Sequence, residues 1–518
     1  MTRARDLRSD SATAPCARSY RRNARPSQPH CESSCSGDSN GRVVALETSC
    51  GYRSVLGAPS LHTRCVHASA NTDIAVLGAG PAGAAAALGL ATLGYAVTVI
   101  TQPRTRAGRE SFSARVVEAL RTLGGDEACA VIEAPSPRRV SWAGEERELP
   151  GEAQVDRAGF DAGLIAALER RGVRVLRDEA LRVEARDEGA RVALASGDAL
   201  RARCVLEARG RAAPASAARE RGPETLCVVQ HWRTPAREAR IVVASLANGW
   251  AWCARDARGA LTTQLALDAQ DAPARAELRA HLAAALGGSA PCRELLGDAT
   301  PEGDAYARAA TAVFDGEPAS GPVLRIGDAA LAVDPLSGNG VFQALSTALA
   351  APAVVNTLLR RPEDAALARR FSAERARDIF LRFARVSRDF YALGAAHHGG
   401  AFWEKRASWP DSDAAHPAAS GALEIATRPV VCDGFIEERE VVLTPERPLG
   451  TWRLAGAELA PLVRSLAADA APAAEERALA ALPEPARGPL RAWLDAHRAG
   501  GRPLGADPAV RAIQGFKV

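Results

Sequence analysis

Two hydrophobic patterns alternate along the chain, and the first predicts a parallel β-sheet covered by helices. Residues 73–101 read DIAVLGAGPAGAAAALGLATLGYAVTVIT. A short apolar run at 74–77 predicts a buried strand, an alanine-rich stretch at 81–93 predicts a helix, and a second apolar run at 96–100 predicts another strand. Two strands joined by one helix pair in parallel, so this segment is expected to form a βαβ unit.

The second pattern covers residues 224–320 and predicts an antiparallel sheet. Three segments there alternate apolar and polar side chains with a period of two: TLCVVQHWR, ARIVVASLANGWAWCARD and GALTTQLALD. Before this region, residues 110–125 and 156–172 read as helices. The α/β pattern returns at Val323, and beyond residue 360 the chain reads mostly as helix, with one strand-like passage, IEEREVVLTP. An α/β domain is therefore interrupted by a sheet and then resumed.

Charge sets the first 70 residues apart from the rest of the chain. That segment contains ten Arg against five acidic residues, whereas the remainder is nearly neutral, which argues against a nucleic-acid partner. The segment lacks the apolar run of a secretory signal, so we expect either a disordered tail or a start codon assigned too far upstream. Its CESSC motif with His30 is incomplete as a metal site, and no metal is predicted.

The remaining composition predicts a cytoplasmic protein without a membrane segment. Six cysteines are scattered after the tail with no CxxC spacing, as expected of a reduced, cytoplasmic chain. The longest uncharged run, residues 74–103, is interrupted by glycines and a proline, which favours strand, helix and strand over one membrane-spanning helix. No membrane partner is therefore predicted.

The motif GAGPAG inside the βαβ unit predicts a dinucleotide site. Gly78 permits the tight turn, Gly80 lets the backbone approach a pyrophosphate, and Gly83 lets the helix pack close to the strand. The acidic residue expected for the ribose hydroxyls is missing, because Thr101 occupies its place. The alternative is a tight turn that binds nothing.

A second glycine-bearing segment, RIGDAALAVDPLSGNGVFQAL at 325–345, decides which dinucleotide is expected. Asp328 follows a strand-like ending and can accept hydrogen bonds from a polyol. Residues 335–340 then present a helix N-terminus to an electron-rich group, which the helix dipole favours. FAD carries a ribityl polyol and a nicotinamide dinucleotide does not, so the pair of motifs predicts FAD.

These two motifs resemble those of the FAD-dependent aromatic monooxygenases of the hydroxybenzoate-hydroxylase fold and of their relatives, the flavin-dependent halogenases. The resemblance covers roughly residues 72–410. It implies an α/β fold in which a Rossmann-like, GR2-type FAD-binding domain is interrupted by an antiparallel-sheet substrate domain and followed by a mostly helical C-terminal region. The segment CVLEARGR resembles a strand that usually reads DATGR, with Glu207 and Arg209 as departures.

The resemblance also implies which residues bind FAD. An Arg near the start of the third segment commonly touches the pyrophosphate, for which Arg109 is the first candidate and Arg106 the second. The loop after Pro335, including Ser337, would cover the pyrimidine edge of the flavin. The full set of predicted cofactor residues is Gly78, Gly80, Pro81, Ala82, Gly83, Arg109, Asp328, Pro335, Gly338, Asn339 and Gly340.

Five segments follow from the patterns and the resemblance. They are the tail at 1–70, the first part of the FAD-binding domain at 71–223, the substrate domain at 224–320, the second part of the FAD-binding domain at 321–375, and the helical region at 376–518.

Several residues bear on whether the chain resembles the halogenases or the hydroxylases. Trp250 and Trp252 in NGWAWCA resemble a halogenase W-x-W-x-I-P signature without its Ile-Pro, and two tryptophans at strand period are more often sheet packing. Halogenases also depend on a lysine ahead of the substrate sheet, and this chain has none before Lys405. Tryptophan halogenases carry a Glu after DPL, where Ser337 stands here. Halogenation therefore lacks two supporting residues.

A narrower resemblance comes from DPLSGNGVFQALSTALAAPAVVNTLL together with RDFYALGAAHHGGAFWEKR. Both are similar to the flavoprotein monooxygenases that mature quinohemoprotein amine dehydrogenases and related tryptophylquinone enzymes. The resemblance implies hydroxylation of a tryptophan side chain within a partner polypeptide, with a small tryptophan-containing subunit of an amine dehydrogenase as the partner. No second glycine motif for NAD(P)H is present, so the electrons come either from transient NAD(P)H or from a separate flavin reductase.

Two alternatives remain open from the sequence. One is a flavin-dependent hydroxylase or halogenase of a small aromatic molecule, and the other is a non-catalytic, flavin-bound scaffold for maturation of a partner. No catalytic residue is assigned, because His231 on its strand is more often structural and the adjacent His397 and His398 diverge by about 100° on a helix.

Overall fold

Two eight-stranded sheets form the framework of the chain in its computed structural model. The structure describes residues 70–103, 108–417, 423–469 and 471–498, which belong to one compact unit. The predictions about the first 69 residues, including the CESSC motif, lie outside the described residues, as does Arg106.

The first sheet, called here the nucleotide sheet, contains the predicted βαβ unit. Its central strands run parallel, with Val76 opposite Val99 on one side and opposite Leu206 on the other. This arrangement confirms the predicted parallel α/β framework. In spatial order its strands are Ala319–Ser320, Val323–Arg325, Ala199–Glu207, Ala70–Leu77, Val97–Thr101 and Arg174–Arg177, with the hairpin Ala180–Arg186 and Gly189–Leu194 paired beside Ala199–Glu207.

Two apolar helices, Pro81–Thr92 and Gly340–Arg360, pack against each other beside this sheet. A Cβ at Gly89 would stand 2.8 Å from Cγ of Pro352, so glycine permits their close approach. Gly340–Arg360 is also, within the described part of the chain, the one helix long and apolar enough to cross a membrane. Half of its apolar stretch is buried inside the fold, which a core helix explains.

The second sheet, called here the substrate sheet, holds the three predicted antiparallel segments. Its order is Thr300–Ala309, Thr225–Arg233, Ala260–Asp268, Gly249–Arg255, Arg240–Leu246, Ile132–Trp142, Glu145–Asp156 and Arg109–Phe112. Every pairing is antiparallel except that of Arg240–Leu246 with Ile132–Trp142, which is parallel.

Three strands of the substrate sheet lie earlier in the sequence than residue 224, where the pattern places its start. Arg109–Phe112 pairs with the end of Glu145–Asp156, so the helix expected over 110–125 begins only at Ala114. Strand Ile132–Trp142 was not apparent from the sequence because prolines interrupt it and because two inward positions carry Ser136 and Arg138. Hydrophobic alternation does not detect a strand whose buried face is polar.

The remaining elements complete the two layers and the C-terminal region. The strand Phe435–Thr444 confirms the strand-like passage within that otherwise largely helical region. The further helices are Ala114–Thr122, Asp126–Cys129, Arg157–Arg170, Leu278–Gly287, Ala290–Leu296, Ala365–His398, Ala401–Ala407, Leu459–Ala468, Pro472–Ala480 and Glu484–Arg498. The small sheets are Arg219–Arg221 with Val313–Asp315 and Leu331–Ala332, Glu424–Cys432 with Phe435–Thr444 and Arg447–Thr451, and Arg453–Leu454 with Ala457–Glu458.

An aromatic cluster joins the helix Ala365–His398 to the substrate sheet. Trp142 and Trp403 are fully buried and meet edge to face at 5.5 Å between ring centroids. The Trp142 indole N–H donates to the carbonyl of Phe390 at 3.2 Å, and the Trp403 indole N–H donates to the carbonyl of Leu246 at 3.1 Å. The aromatic contacts and the two satisfied indole N–H groups hold the long helix on the sheet.

We expect Gly394→Ala to destabilise the protein through this cluster. A Cβ at Gly394 would overlap the indole ring of the buried Trp403, and overpacking of this kind costs about 1–3 kcal/mol. Chemical unfolding monitored by circular dichroism measures the loss. The control is Gly488→Ala in the helix Glu484–Arg498, where a Cβ meets nothing within 4 Å and helix propensity favours alanine. Equal stability of Gly394→Ala and wild type would contradict this packing.

Candidate active site

A cavity of about 950 Å³ is lined by residues of both large sheets. It brings together nine of the eleven residues predicted to bind the cofactor: Gly78, Gly80, Pro81, Ala82, Arg109, Asp328, Pro335, Gly338 and Gly340. Gly83 and Asn339 do not line it. Gly83 lies against the backbone of Gly78, and Asn339 is buried with its side-chain amide donating to the carbonyl of Ser337.

The turn of the GAGPAG motif forms one end of the cavity. Gly78 has φ +105°, and a Cβ there would stand 2.6 Å from the carbonyl oxygen of Ala208, so only glycine fits. At Gly80 a Cβ would meet nothing within 4 Å, which leaves the backbone open to the cavity. Gly80 is also the N-cap of the helix Pro81–Thr92, whose N-terminal dipole attracts an anion.

The turn that carries Asp328 packs directly on the first turn. Gly327 has φ +59°, and a Cβ there would stand 2.7 Å from Cβ of Ala82. The Gly327 N–H donates to the hydroxyl of Thr347 at 2.8 Å, which fixes the turn to the helix Gly340–Arg360. Two glycine turns that are distant in sequence are therefore in van der Waals contact.

The Asp328 carboxylate faces the cavity, with 37% of its side chain exposed. Burial raises the pKa of this carboxyl, and the nearby Arg211, with Nε at 3.6 Å, acts in the opposite direction. A partly buried carboxylate with no direct hydrogen bond from its nearest arginine gains from hydroxyl donors, which polyols supply. The open Gly80 backbone, the helix N-terminus and Asp328 together fit the phosphates and the ribityl chain of FAD.

Two arginines of the cavity lining are already paired with carboxylates. Arg109 donates to Asp256 at 2.6 Å and to Glu133 at 3.0 Å. Arg209 donates through Nε to the buried Glu207 at 2.9 Å. Both guanidinium charges are therefore balanced within the protein, and a role for Arg109 at the pyrophosphate stays a prediction.

The opposite wall of the cavity is one face of the substrate sheet. Val243 lies opposite Trp252, which lies opposite Gln264, so their side chains share a face. Arg308, on the edge strand Thr300–Ala309 two strands away, donates to the side-chain oxygen of Gln264 at 2.6 Å. Trp250, two residues before Trp252, shares the same face, and all of these residues line the cavity. The two tryptophans thus contribute to a cavity wall, where sequence reasoning favoured sheet packing alone.

A hydrogen-bonded chain supports Trp250 from behind the wall. The Trp250 indole N–H donates to the hydroxyl of Tyr391 at 3.2 Å, and that hydroxyl donates to Asp334 at 3.1 Å. Asp334 also accepts from the backbone N–H of Leu336 at 2.9 Å. Burial raises the pKa of both Tyr391 and Asp334. These hydrogen bonds link the substrate sheet, the helix Ala365–His398 and the turn that begins the 335–340 loop.

A buried ion pair at the edge of the same wall was not predicted. Arg138, which is 4% exposed, donates through Nη1 to Oε1 of Glu152. The hydroxyl of Ser111 donates to the other oxygen, Oε2 of Glu152, at 2.6 Å. All three residues line the cavity. An arginine and a glutamate within a sheet carry no motif, so only the folded register brings them together.

Structural comparison decides the family. A solved structure described as "Peptidyl tryptophan dihydroxylase QhpG essential for tryptophylquinone cofactor biogenesis" is 45% identical to this chain, with a TM-score of 0.73. The match covers 83% of this chain and 99% of that chain. The chain belongs to the QhpG family. This membership confirms the predicted resemblance, the fold class and the assignment as a flavin-dependent monooxygenase that uses FAD.

More distant matches share the fold of this QhpG-family chain. The flavin-dependent halogenase CmlS is 16% identical over 86% of this chain and 95% of its own, with a TM-score of 0.63. The myxobacterial chondrochloren halogenase CndH, an FAD-dependent halogenase, is 24% identical over 65% of this chain and 86% of its own, with a TM-score of 0.54. The sequence model described as lycopene cyclase protein matches residues 73–235. A search of curated proteins found no significant match.

The histidines considered from the sequence do not line the cavity of this QhpG-family chain. His231 Nδ1 is 3.0 Å from the hydroxyl of Thr262. His398 stacks on Trp403 and places Nε2 2.9 Å from the hydroxyl of Ser245, and burial lowers its pKa. Across the described residues, no group of three or more His, Cys, Asp or Glu side chains could hold a metal ion.

We expect Tyr391→Phe to destabilise the fold through the chain behind Trp250. The change removes the acceptor of the Trp250 indole N–H and the hydroxyl that donates to the buried Asp334, and each lost buried partner costs about 1–3 kcal/mol. Chemical unfolding measures the difference, with Tyr306→Phe outside this hydrogen-bonded chain as the control for loss of a phenol hydroxyl. Similar losses in the two variants would argue against a special role for Tyr391.

Proposed function

We propose that this chain hydroxylates a tryptophan side chain of a partner polypeptide during biogenesis of a tryptophylquinone cofactor. The observation that carries the proposal is the 45% identity to a peptidyl tryptophan dihydroxylase over nearly all of that chain. The cavity supports it, because a wall with Trp250 and Trp252 faces the same space as the two glycine turns. Aromatic walls favour an indole through edge-to-face and stacked contacts.

The cofactor would extend from the GAGPAG turn to the turn that carries Asp328. The backbone of Gly80 and the N-terminus of the helix Pro81–Thr92 would hold the pyrophosphate, and Asp328 would accept hydrogen bonds from the ribityl hydroxyls. The loop at 335–340 would lie against the flavin ring. When bound and reduced, FAD supplies the activation of dioxygen that hydroxylation requires.

The residues of the chain supply binding, orientation and exclusion of water. In the overall reaction a ring C–H becomes C–OH, dioxygen takes two electrons from the reduced flavin and two protons, and its second oxygen leaves as water. The sheet face with Val243 and Trp252 would fix the indole beside the flavin loop, and the apolar side chains of that face would keep water away from the reacting carbon.

Hydroxylation fits the cavity lining better than halogenation. No lysine lines the cavity, and the described Lys405 forms an ion pair with Asp268 at 3.2 Å. Ser337, at the position of the halogenase Glu, is buried. The described cavity lining therefore lacks the lysine and the glutamate that the resemblance to halogenases implies for halogenation.

The finer assignments belong to the same proposal. The partner would be a small tryptophan-containing subunit of an amine dehydrogenase, matured in the cytoplasm. Electrons would reach the flavin either from NAD(P)H or from a separate flavin reductase, and the described residues show no second glycine motif that would favour the former.

Mass spectrometry of the partner tests the proposed reaction. We expect the flavin-loaded protein, supplied with a chemical reductant under air, to add one or two oxygen atoms to a tryptophan-containing fragment of the partner polypeptide. Free indole compounds should gain oxygen much more slowly. Binding of the partner without any mass increase would support the scaffold alternative, and faster oxidation of free aromatics would support the small-molecule alternative.

Retention of flavin tests the cofactor site. We expect Asp328→Ala to weaken FAD binding about 10-fold or more, because a charge-assisted hydrogen bond contributes about 1.5–3 kcal/mol. Fluorescence titration of the apoprotein with FAD measures the dissociation constant. Asp298→Ala, an exposed carboxylate away from the cavity lining, is the matched control. Identical FAD affinity of Asp328→Ala and Asp298→Ala would overturn this assignment.

A further inference from the structure

We propose that Glu152 accepts the indole N–H proton of the substrate tryptophan and is the catalytic base of the reaction. This inference rests on the proposed function. It assigns the catalytic base of the proposed hydroxylation. Glu152 lies at the point where the strands Glu145–Asp156 and Arg109–Phe112 meet at the cavity.

The two bonds that hold Glu152 fix the carboxylate without using all of its acceptor positions. Oε1 accepts from Arg138 and Oε2 accepts from the hydroxyl of Ser111 at 2.6 Å. Each carboxylate oxygen has two acceptor positions, so each retains one for a ligand. The Glu152 side chain is 16% exposed, and the residue is part of the cavity lining. A rigid carboxylate with open acceptor positions is suited to receive an N–H donor.

The register of the sheet places this carboxylate beside the aromatic wall. Arg138 lies opposite Ile241 in the parallel pair, and Val243, two residues further, lies opposite Trp252. Arg138, Val243 and Trp252 therefore share one face of the sheet. The Arg138 side chain reaches Glu152, which lies on this face three strands away from Trp252 and lines the same cavity. An indole seated between the two side chains would present its N–H edge to the carboxylate.

The other carboxylates of the cavity lining are less suited to this role. Glu110 accepts from Arg157 at 2.7 Å, and its neighbour in the sheet, Val155, places it on the opposite face from Ser111. Asp161 pairs with the same Arg157 at 2.9 Å. Asp328 lies at the nucleotide turns. Glu152 is the acidic residue of the cavity that is held on the face of the aromatic wall.

Glu152 holds the indole proton only transiently during the proposed step. When the new C–O bond forms from a π electron pair of the ring, the nitrogen lone pair moves into the ring and the N–H proton passes to Glu152. The attacked carbon then releases its hydrogen as a proton to water, and N1 recovers a proton from Glu152. The net change is replacement of C–H by C–OH, with dioxygen and reduced flavin as the oxidant and the electron source named above.

The test compares two substrates with two variants. The substrates are the partner polypeptide with its natural tryptophan and the same polypeptide with 1-methyltryptophan at that position, which has no N–H. The variants are Glu152→Gln, which keeps the shape of the side chain, and Glu148→Gln, an exposed position on the same strand that does not line the cavity. Single-turnover hydroxylation is followed by partner mass, and FAD retention is checked in each variant.

We expect Glu152→Gln to retain FAD and to hydroxylate about 100-fold more slowly, within the range of general base catalysis, whereas Glu148→Gln matches wild type. Unchanged hydroxylation by Glu152→Gln would overturn the inference. An equal loss in both variants would also overturn it, because that loss would be structural.

Binding to the oxidised protein gives a second readout that does not depend on turnover. Wild type should bind the natural polypeptide about 10-fold more tightly than the methylated one, because a charge-assisted hydrogen bond is lost, and Glu152→Gln should reduce this preference. Equal wild-type affinity for the two polypeptides would overturn the inference, even if Glu152→Gln failed to fold. Wild type could also bind the natural polypeptide more tightly than the methylated one and yet oxygenate neither. That result would refute the proposed function but would still support the contact between Glu152 and the indole N–H.

Discussion

The contact between Gly327 and Ala82 is the constraint on which the rest of the structure depends. It holds the Asp328 turn against the N-terminus of the helix Pro81–Thr92. A Cβ added at Gly327 would stand 2.7 Å from Cβ of Ala82, which is too close. Both turns line one end of the cavity, and the substrate-sheet face with Val243, Trp252 and Gln264 lines the same space. In the proposed binding mode, a cofactor held by both turns would present its far end to the wall with Trp252.

The C-terminal region completes the site from outside the two large sheets. Tyr391 joins Trp250 to Asp334, and Trp403 anchors the following helix on the sheet backbone. The buried Tyr391 hydroxyl and the indole N–H groups of Trp250 and Trp403 are all hydrogen-bonded, which makes the wall rigid. A wall fixed in this way can orient an indole, whereas a mobile one would only enclose it.

The sequence was sufficient to predict the two glycine turns that line the cavity and insufficient for the substrate-sheet side of the cavity. Glycine turns are recognisable because Gly78 and Gly327 adopt positive φ angles, and the residues around them follow a motif with a physical reason at each position. Arg138 and Glu152 lie on strands whose inward positions are polar, so neither hydrophobic period nor spacing identifies them. Their ion pair depends on the register of two neighbouring strands, Ile132–Trp142 and Glu145–Asp156, which only the fold specifies.

A crystal structure of the protein with bound FAD tests the central claim most directly. The two touching turns predict one FAD molecule with its pyrophosphate at the N-terminus of the helix Pro81–Thr92, its ribityl hydroxyls at Asp328 and its ring between the 335–340 loop and the wall with Trp252. A flavin bound elsewhere, or one whose ribityl chain makes no contact with Asp328, would contradict the claim that the two turns bind a single cofactor.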